Sequence, residues 1–164
     1  MEKTFRNIDR NFNKSFMPIA IDVNDKKVLL IGGGKVAMHK IDILLQYANH
    51  IEVVALEIDD ELKRKVSRWQ EKAYQESDLD GSVIVYACTN IKELNAQVKA
   101  DAAKRNILVN VVDNPAECDF VSPAIYKRNF VSVAVSSNAR NVYKAIEVRN
   151  KIKEHLDHDS TLFD

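Results

Sequence analysis

The sequence predicts an α/β fold, a parallel sheet with helices on both faces. Two observations predict it. Short apolar runs alternate with stretches of helical periodicity along the chain. The first apolar run also closes on three consecutive glycines, Gly32-Gly33-Gly34, and opens directly into a helical pattern.

Each element follows from its residues. Lys27 to Ile31 (KVLLI) is apolar, too short for a helix and bounded by glycines, so it reads as a buried first strand. Ala37, Ile41, Leu44, Leu45 and Ala48 recur at helical spacing and predict a helix over Val36 to Tyr47 with one apolar face. Ile51 to Ala55 (IEVVA) is the second strand. Asp59 to Gln70 reads as an amphipathic helix with Leu62, Val66 and Trp69 on one face. The polar segment Glu71 to Ser82 holds Gly81 and leaves room for a short edge strand near Ala73 to Tyr74. Ser82 to Ala87 (SVIVYA) is the next strand, and Ile91, Leu94, Val98 and Ala102 mark a helix from near Asn90. Leu108 to Val112 (LVNVV) is another buried strand. Asp113-Asn114-Pro115 ends it, because proline cannot continue a central strand. Phe130 to Val135 (FVSVAV) is the last strand, and Val142, Ile146, Arg149 and Ile152 trace a helix to about Leu156. The tail from His155 is polar and expected to fray. Met1 to Ser15 is polar and mixed in charge, a lead-in without the apolar core of a signal peptide.

Bulk composition narrows the function classes. Lys plus Arg and Asp plus Glu each total 24, so the chain lacks the basic excess of a nucleic-acid binder. No apolar run reaches the length of a bilayer span. A cytoplasmic protein with neither a nucleic-acid nor a membrane partner is expected. Cys88 and Cys118 have no metal-type or redox-type spacing, and Cys88 reads as a small core residue. His39, His50, His155 and His158 form no metal constellation. There is no Ser-His-Asp arrangement, no P-loop lysine motif and no internal repeat.

The glycine run carries the chemistry. Gly32-Gly33-Gly34-Lys35-Val36-Ala37 fits G-x-G-x-x-A. The first glycine allows a tight turn, the next lets the backbone approach a pyrophosphate, and the small final residue lets helix and strand pack closely. The helix N-terminus adds free N–H groups and a partial positive charge. A turn alone needs one left-handed glycine, seldom three in a row. The expected ligand is NAD. The fingerprint also calls for an acid near the end of the second strand, to hold the ribose hydroxyls. Glu57 is the available acid, slightly beyond that position, and it serves equally well as an acid at the start of the next helix. No arginine follows it, which favours NAD over NADP. Thr89 follows a strand at the same sheet edge, where it lines the crevice, caps the next helix, or does both. Asp113 ends its strand on that edge too. It is placed either to take a proton during hydride transfer or to make an Asx-turn before Asn114-Pro115.

Several segments carry a family resemblance. Pro18-Ile19-Ala20-Ile21-Asp22, KVLLIGGGKVA from Lys27 to Ala37, and Val109-Asn110-Val111-Val112-Asp113-Asn114-Pro115 with Cys118-Asp119-Phe120 and Pro123-Ala124-Ile125 resemble the precorrin-2 dehydrogenase family, the N-terminal part of siroheme synthases. The resemblance implies a Rossmann-type NAD-binding domain over residues 17–114, after a lead-in of residues 1–16. A dimerisation and substrate-cleft segment would follow over 115–164. It implies oxidation of precorrin-2 to sirohydrochlorin by hydride transfer to NAD, within a homodimer built from the segment after Pro115. Asp113 matches the family's catalytic aspartate, and its cofactor contacts fall on Lys35, Val36, Leu56 and Glu57. Some members also insert ferrous iron.

The chain departs from the family in two places. Members usually follow the last strand with a serine, paired glycines and a Ser-Pro; here the run is Ser136-Ser137-Asn138-Ala139-Arg140-Asn141-Val142. Substrate contacts are expected at Ser137 and Arg140, the latter meeting a propionate or standing solvated at a helix start. Many members also continue with a further helical region beyond the point matched by Asp164, which weighs against a separate chelatase here. A non-enzymatic NAD-sensing module and a bifunctional dehydrogenase and ferrochelatase are the other two readings.

Overall fold

The computed structural model describes residues 13–158. They divide into two units, one spanning Ala20–Phe120 and the other taking in the described residues before Ala20 and those from Val121 onward. The lead-in of residues 1–12 and the tail beyond His158 lie outside the described residues.

The first unit is a five-stranded parallel sheet made of β1 (Lys27–Ile31), β2 (Ile51–Ala55), β3 (Arg68–Glu71), β4 (Ser82–Ala87) and β5 (Leu108–Val111). The strand order is β3-β2-β1-β4-β5. The connecting helices are α1 (Lys35–Leu44), α2 (Asp60–Lys65) and α3 (Lys92–Lys104). The chain steps outward from β1 to β3, then jumps back across β1 to β4. With right-handed crossovers this reversal puts α1 and α2 on one face and α3 on the other. It also opens a crevice at the carboxyl ends of β1 and β4, where the strand order reverses. Side-chain alternation feeds both layers. Val28 and Leu30 of β1 pack with Ala37 and Ile41 of α1 and Leu62 of α2. Leu29 and Ile31 point to the opposite face, where Val98 and Ala102 of α3 are fully buried. Each such side chain taken from water contributes about 1.5–3 kcal/mol.

The helix expected over Asp59 to Gln70 is a helix followed by a strand. Asp59 caps α2, its carboxylate accepting from Glu61 N–H at 2.8 Å. Lys63, Arg64 and Lys65 then complement the dipole at the other end. The helix stops because Ser67 splices the chain onto β2. Its hydroxyl accepts from Ile51 N–H at 3.0 Å and donates to Asn49 O at 2.9 Å, and its own N–H donates to Ile51 O at 3.0 Å. The edge strand is therefore Arg68–Glu71, not Ala73 to Tyr74. Trp69 is a 44% exposed edge residue under the Lys63 ammonium, rather than part of a helix face.

The strand read at Phe130 to Val135 is present in the second unit, with a partner strand that the sequence reading did not include. β7 (Val131–Val135) pairs antiparallel with β6 (Ala124–Arg128) in a separate hairpin. Its two-residue turn includes Asn129, at φ +52°. α4 (Val142–His158) packs on this hairpin. Arg149 donates to Ile125 O at 2.8 Å and Tyr126 Oη donates to Asp157 at 2.5 Å.

Candidate functional site

The three glycines have three different reasons to be glycine. Gly32 has φ +122°, and a Cβ there would stand 2.6 Å from Cys88 O. Gly33 carries the loop after β2 on its surface. A Cβ there would lie 2.3 Å from Glu57 O and 2.7 Å from Ile58 Cα. Its carbonyl accepts from Asp59 N–H at 3.0 Å. Gly34 is unconstrained: its φ is −100° and a Cβ would meet nothing within 4 Å. It is the N-cap of α1, and no side chain caps that end. The first two glycines are thus accounted for by packing inside the chain. The third leaves a bare helix N-terminus open to an approaching anion, which fits a pyrophosphate.

Beside this turn lies a crevice of about 430 Å³. Val36 of α1, Cys88 and Thr89 after β4, Asn95 of α3 and Val112, Asp113 and Asn114 after β5 line it. Thr89 donates its hydroxyl proton to Asn95 Oδ1 at 2.8 Å and accepts from Ile91 N–H at 3.1 Å. It therefore shapes the turn before α3, which starts at Lys92 rather than near Asn90, while also lining the crevice. Burial pushes the Cys88 thiol up to about 12, so it forms a neutral wall and not a nucleophile.

A larger hollow of about 550 Å³ lies at the opposite, amino edge of the sheet. Its charges already answer one another. Glu52, nearly buried, meets His50 at 3.0 Å and Lys27 at 3.5 Å. Ligands of such sheets bind at the carboxyl ends, so the smaller crevice is the candidate site.

Asp113 is exposed on that crevice with φ +60°, at the crest of a loop braced from below. The bracing comes from Cys118-Asp119-Phe120, which runs back along β5. The Cys118 thiol accepts from Val111 N–H at 3.2 Å. The Asp119 carboxylate accepts from Val109 N–H at 3.0 Å and pairs with Lys99. Asn110 donates to Phe120 O at 2.9 Å. These bonds tie Cys118-Asp119-Phe120 into the first unit.

The sheet edge thus gathers Gly32, Gly33, Gly34, Lys35, Val36, Thr89 and Asp113. Leu56, 70% exposed, and Glu57, also exposed, follow β2 in the loop that packs on Gly33. Ser137 and Arg140 belong to the second unit. There the Ser137 hydroxyl accepts from Asn141 N–H at 3.0 Å before α4, and Arg140 is exposed. Asn138 and Ala139 have left-handed backbones at φ +54° and +60°. Asn138 uses its side chain to accept from Phe16 N–H at 2.6 Å and donate to Lys14 O at 3.0 Å.

Sequence reasoning missed Asn95, buried at the heart of the Thr89 turn. The signal was present: it lies four residues after Ile91 and three before Val98, a polar residue within an apolar helical stripe. It also missed Lys40, half-buried on α1. Among the described residues, no group of three His, Cys, Asp or Glu side chains is arranged to hold a metal ion. No described helix is long and apolar enough to cross a membrane.

Comparison with known proteins agrees with this geometry. Residues 19–124 match the model of a family described as putative NAD(P)-binding. A siroheme synthase of Photorhabdus laumondii is 38% identical over 145 residues, covering 86% of this chain and 31% of that protein. One from Pseudomonas fluorescens is 37% identical, covering 84% and 31%. The chain thus spans about a third of the length of these relatives. Among solved structures, SirC, a precorrin-2 dehydrogenase, superposes with a TM-score of 0.74 at 25% identity, covering 85% of this chain and 70% of that one. The resemblance read from the motifs is therefore met in sequence and in fold.

Proposed function

Since the chain belongs to the putative NAD(P)-binding family, we propose that it oxidises precorrin-2 to sirohydrochlorin with NAD, as a cytoplasmic homodimer. The observation that carries this reading is the open, uncapped α1 N-terminus at Gly34 beside a crevice holding Asp113. Lys35 and Val36 present the first backbone amides of the helix to the pyrophosphate, and Glu57 takes the ribose. Bound NAD supplies the hydride acceptor. The substrate loses one hydride and one proton, and Asp113, on the crevice wall, receives or steers that proton. Much of the rate would come from holding the ring carbon against the nicotinamide. Ser137 and Arg140 of the second unit are proposed contacts for the carboxylates of the macrocycle.

Dimerisation is supported by surface left uncovered in the second unit. Val142 and Tyr143 at the start of α4 are 58% and 59% exposed, and Phe130 at the hairpin turn is 84% exposed. A two-stranded hairpin with one helix has little core of its own, and a second copy would cover such side chains.

The test is incubation with precorrin-2 and NAD while following NADH and the sirohydrochlorin spectrum. Wild-type protein should turn over. Asp113→Ala should abolish turnover and leave NAD affinity intact. No turnover by well-folded wild type would overturn the reading, and equal loss of turnover and NAD binding in the variant would make Asp113 structural.

A further inference from the structure

Lys40 is unlike the other half-buried lysines of the first unit. It projects from α1 one turn beyond Ala37. Its Nζ stands 5.8 Å from the centroid of the Tyr86 ring, which Phe120 braces edge-on at 5.4 Å. Lys27, Lys63, Lys65, Lys72 and Lys99 each meet a carboxylate. Among the described residues, no carboxylate comes within 4.0 Å of the Lys40 ammonium. Burial pushes that ammonium below its ordinary value, and the Asp113 carboxylate lies close enough to offset part of that. Cys88 and Asp113 both line the crevice.

A half-buried cation, with an aromatic ring as its main companion, carries a desolvation cost that is only partly offset. A methionine would fill the same space without it. An anion delivered by a ligand would offset that cost through a charge-assisted hydrogen bond. Two anions are available under the proposed function, the dinucleotide pyrophosphate and a substrate carboxylate. The pyrophosphate belongs at the helix N-terminus, and a rise of about 1.5 Å per residue puts Lys40 roughly 9 Å further along α1 from Gly34. The carboxylate is the better fit, since Lys40 lies near the loop that presents Asp113.

We propose that Lys40 is a substrate-binding residue, holding a peripheral carboxylate of the tetrapyrrole beside Asp113; this rests on the functional reading above. Lys40 then sets which way the macrocycle faces the nicotinamide. Binding of sirohydrochlorin, followed by absorbance, and of NAD, followed by calorimetry, tests it alongside precorrin-2 kinetics. Lys40→Met should weaken sirohydrochlorin binding and raise KM for precorrin-2 by about tenfold or more, the loss of one charged hydrogen bond. NAD affinity should stay near wild type, the unfolding midpoint should hold or rise with the desolvation cost removed, and Lys40→Arg should recover most of the tetrapyrrole affinity. Lys40→Gln serves if the methionine variant does not fold. Unchanged tetrapyrrole binding in a folded variant, with wild type active, overturns the Lys40 assignment alone. Equal loss of NAD and tetrapyrrole binding also overturns it. A wild type that neither turns over precorrin-2 nor binds sirohydrochlorin overturns both readings.

Discussion

Alanine at Gly34 and alanine at Gly33 should fail in opposite ways. At Gly33 the new methyl would stand 2.3 Å from Glu57 O and 2.7 Å from Ile58 Cα. Both are backbone atoms, so the loop after β2 must move by about 1 Å to reach ordinary contact, an overpacking that costs roughly 1–3 kcal/mol. At Gly34 the methyl enters open space from an extended backbone. The fold loses only the modest difference between glycine and alanine at an N-cap, under about 1 kcal/mol. The same methyl, however, occupies the approach of a pyrophosphate to the first amides of α1. Displacing the phosphates forfeits at least one charge-assisted hydrogen bond of about 1.5–3 kcal/mol, or roughly tenfold to a hundredfold in Kd. Urea midpoints and NADH fluorescence titrations on the two variants separate the effects. Gly34→Ala should unfold like wild type and bind NADH poorly. A Gly34→Ala protein with wild-type affinity would refute the cradle, and a Gly33→Ala protein as stable as wild type would refute the packing argument.

Two further outcomes follow from groups outside the crevice. Burial pushes the Glu52 carboxyl up, but the His50 hydrogen bond, the Lys27 ammonium and the nearby Arg68 outweigh it and hold it below its ordinary value. The stabilisation is therefore present at neutral pH and lost as pH falls below the ordinary carboxylate value of about 4.3. Glu52→Gln should cost about 2 kcal/mol at pH 7 in urea unfolding and progressively less as pH falls through the acid range; a pH-independent difference would show that charge is not the cause. Ala139 holds φ +60°, a conformation that strains a side-chain-bearing residue by about 1–2 kcal/mol, part of which glycine recovers after its larger unfolded-state entropy. Ala139→Gly should thus raise stability by roughly 0.5–1 kcal/mol in thermal unfolding, and a loss of stability would show that the turn is not strained.

The readability of the chain varied with how much local sequence had to say. β1, β2, β4 and β5 are short apolar runs, β1 closed by Gly32 and β5 by Asp113-Asn114-Pro115, and their length suits buried strands rather than helices. β3 was hidden because Leu62, Val66 and Trp69 keep helical spacing. What makes Arg68–Glu71 a strand is the free edge of β2 and the Ser67 splice, both supplied by tertiary structure. The β6–β7 hairpin was half visible: the alternation of FVSVAV was legible, but its partner AIYKR lacks a clear period and the turn lacks the usual glycine. The glycine turn and Asp113 were legible because backbone geometry demands particular residues there. Asn95 left a trace, a polar residue within an apolar helical stripe, but Lys40 did not, since an ammonium set against a ring is recognisable only once its neighbours are known.

Gly32 and Gly33 act as spacers of almost zero thickness between three crossings of the main chain. One fixes β1 against the end of β4, the other fixes it against the loop after β2. The cradle is therefore a mould whose dimensions are set by peptide groups and not by side chains. Its tolerance is a fraction of an ångström, and a side chain of any size at either spacer breaks it. Residues on its rim, by contrast, are free to change without altering its gauge. Such a construction separates two kinds of variation: the part that accepts a ligand common to many proteins is cast once, while the part that selects what is brought to it can be recut residue by residue.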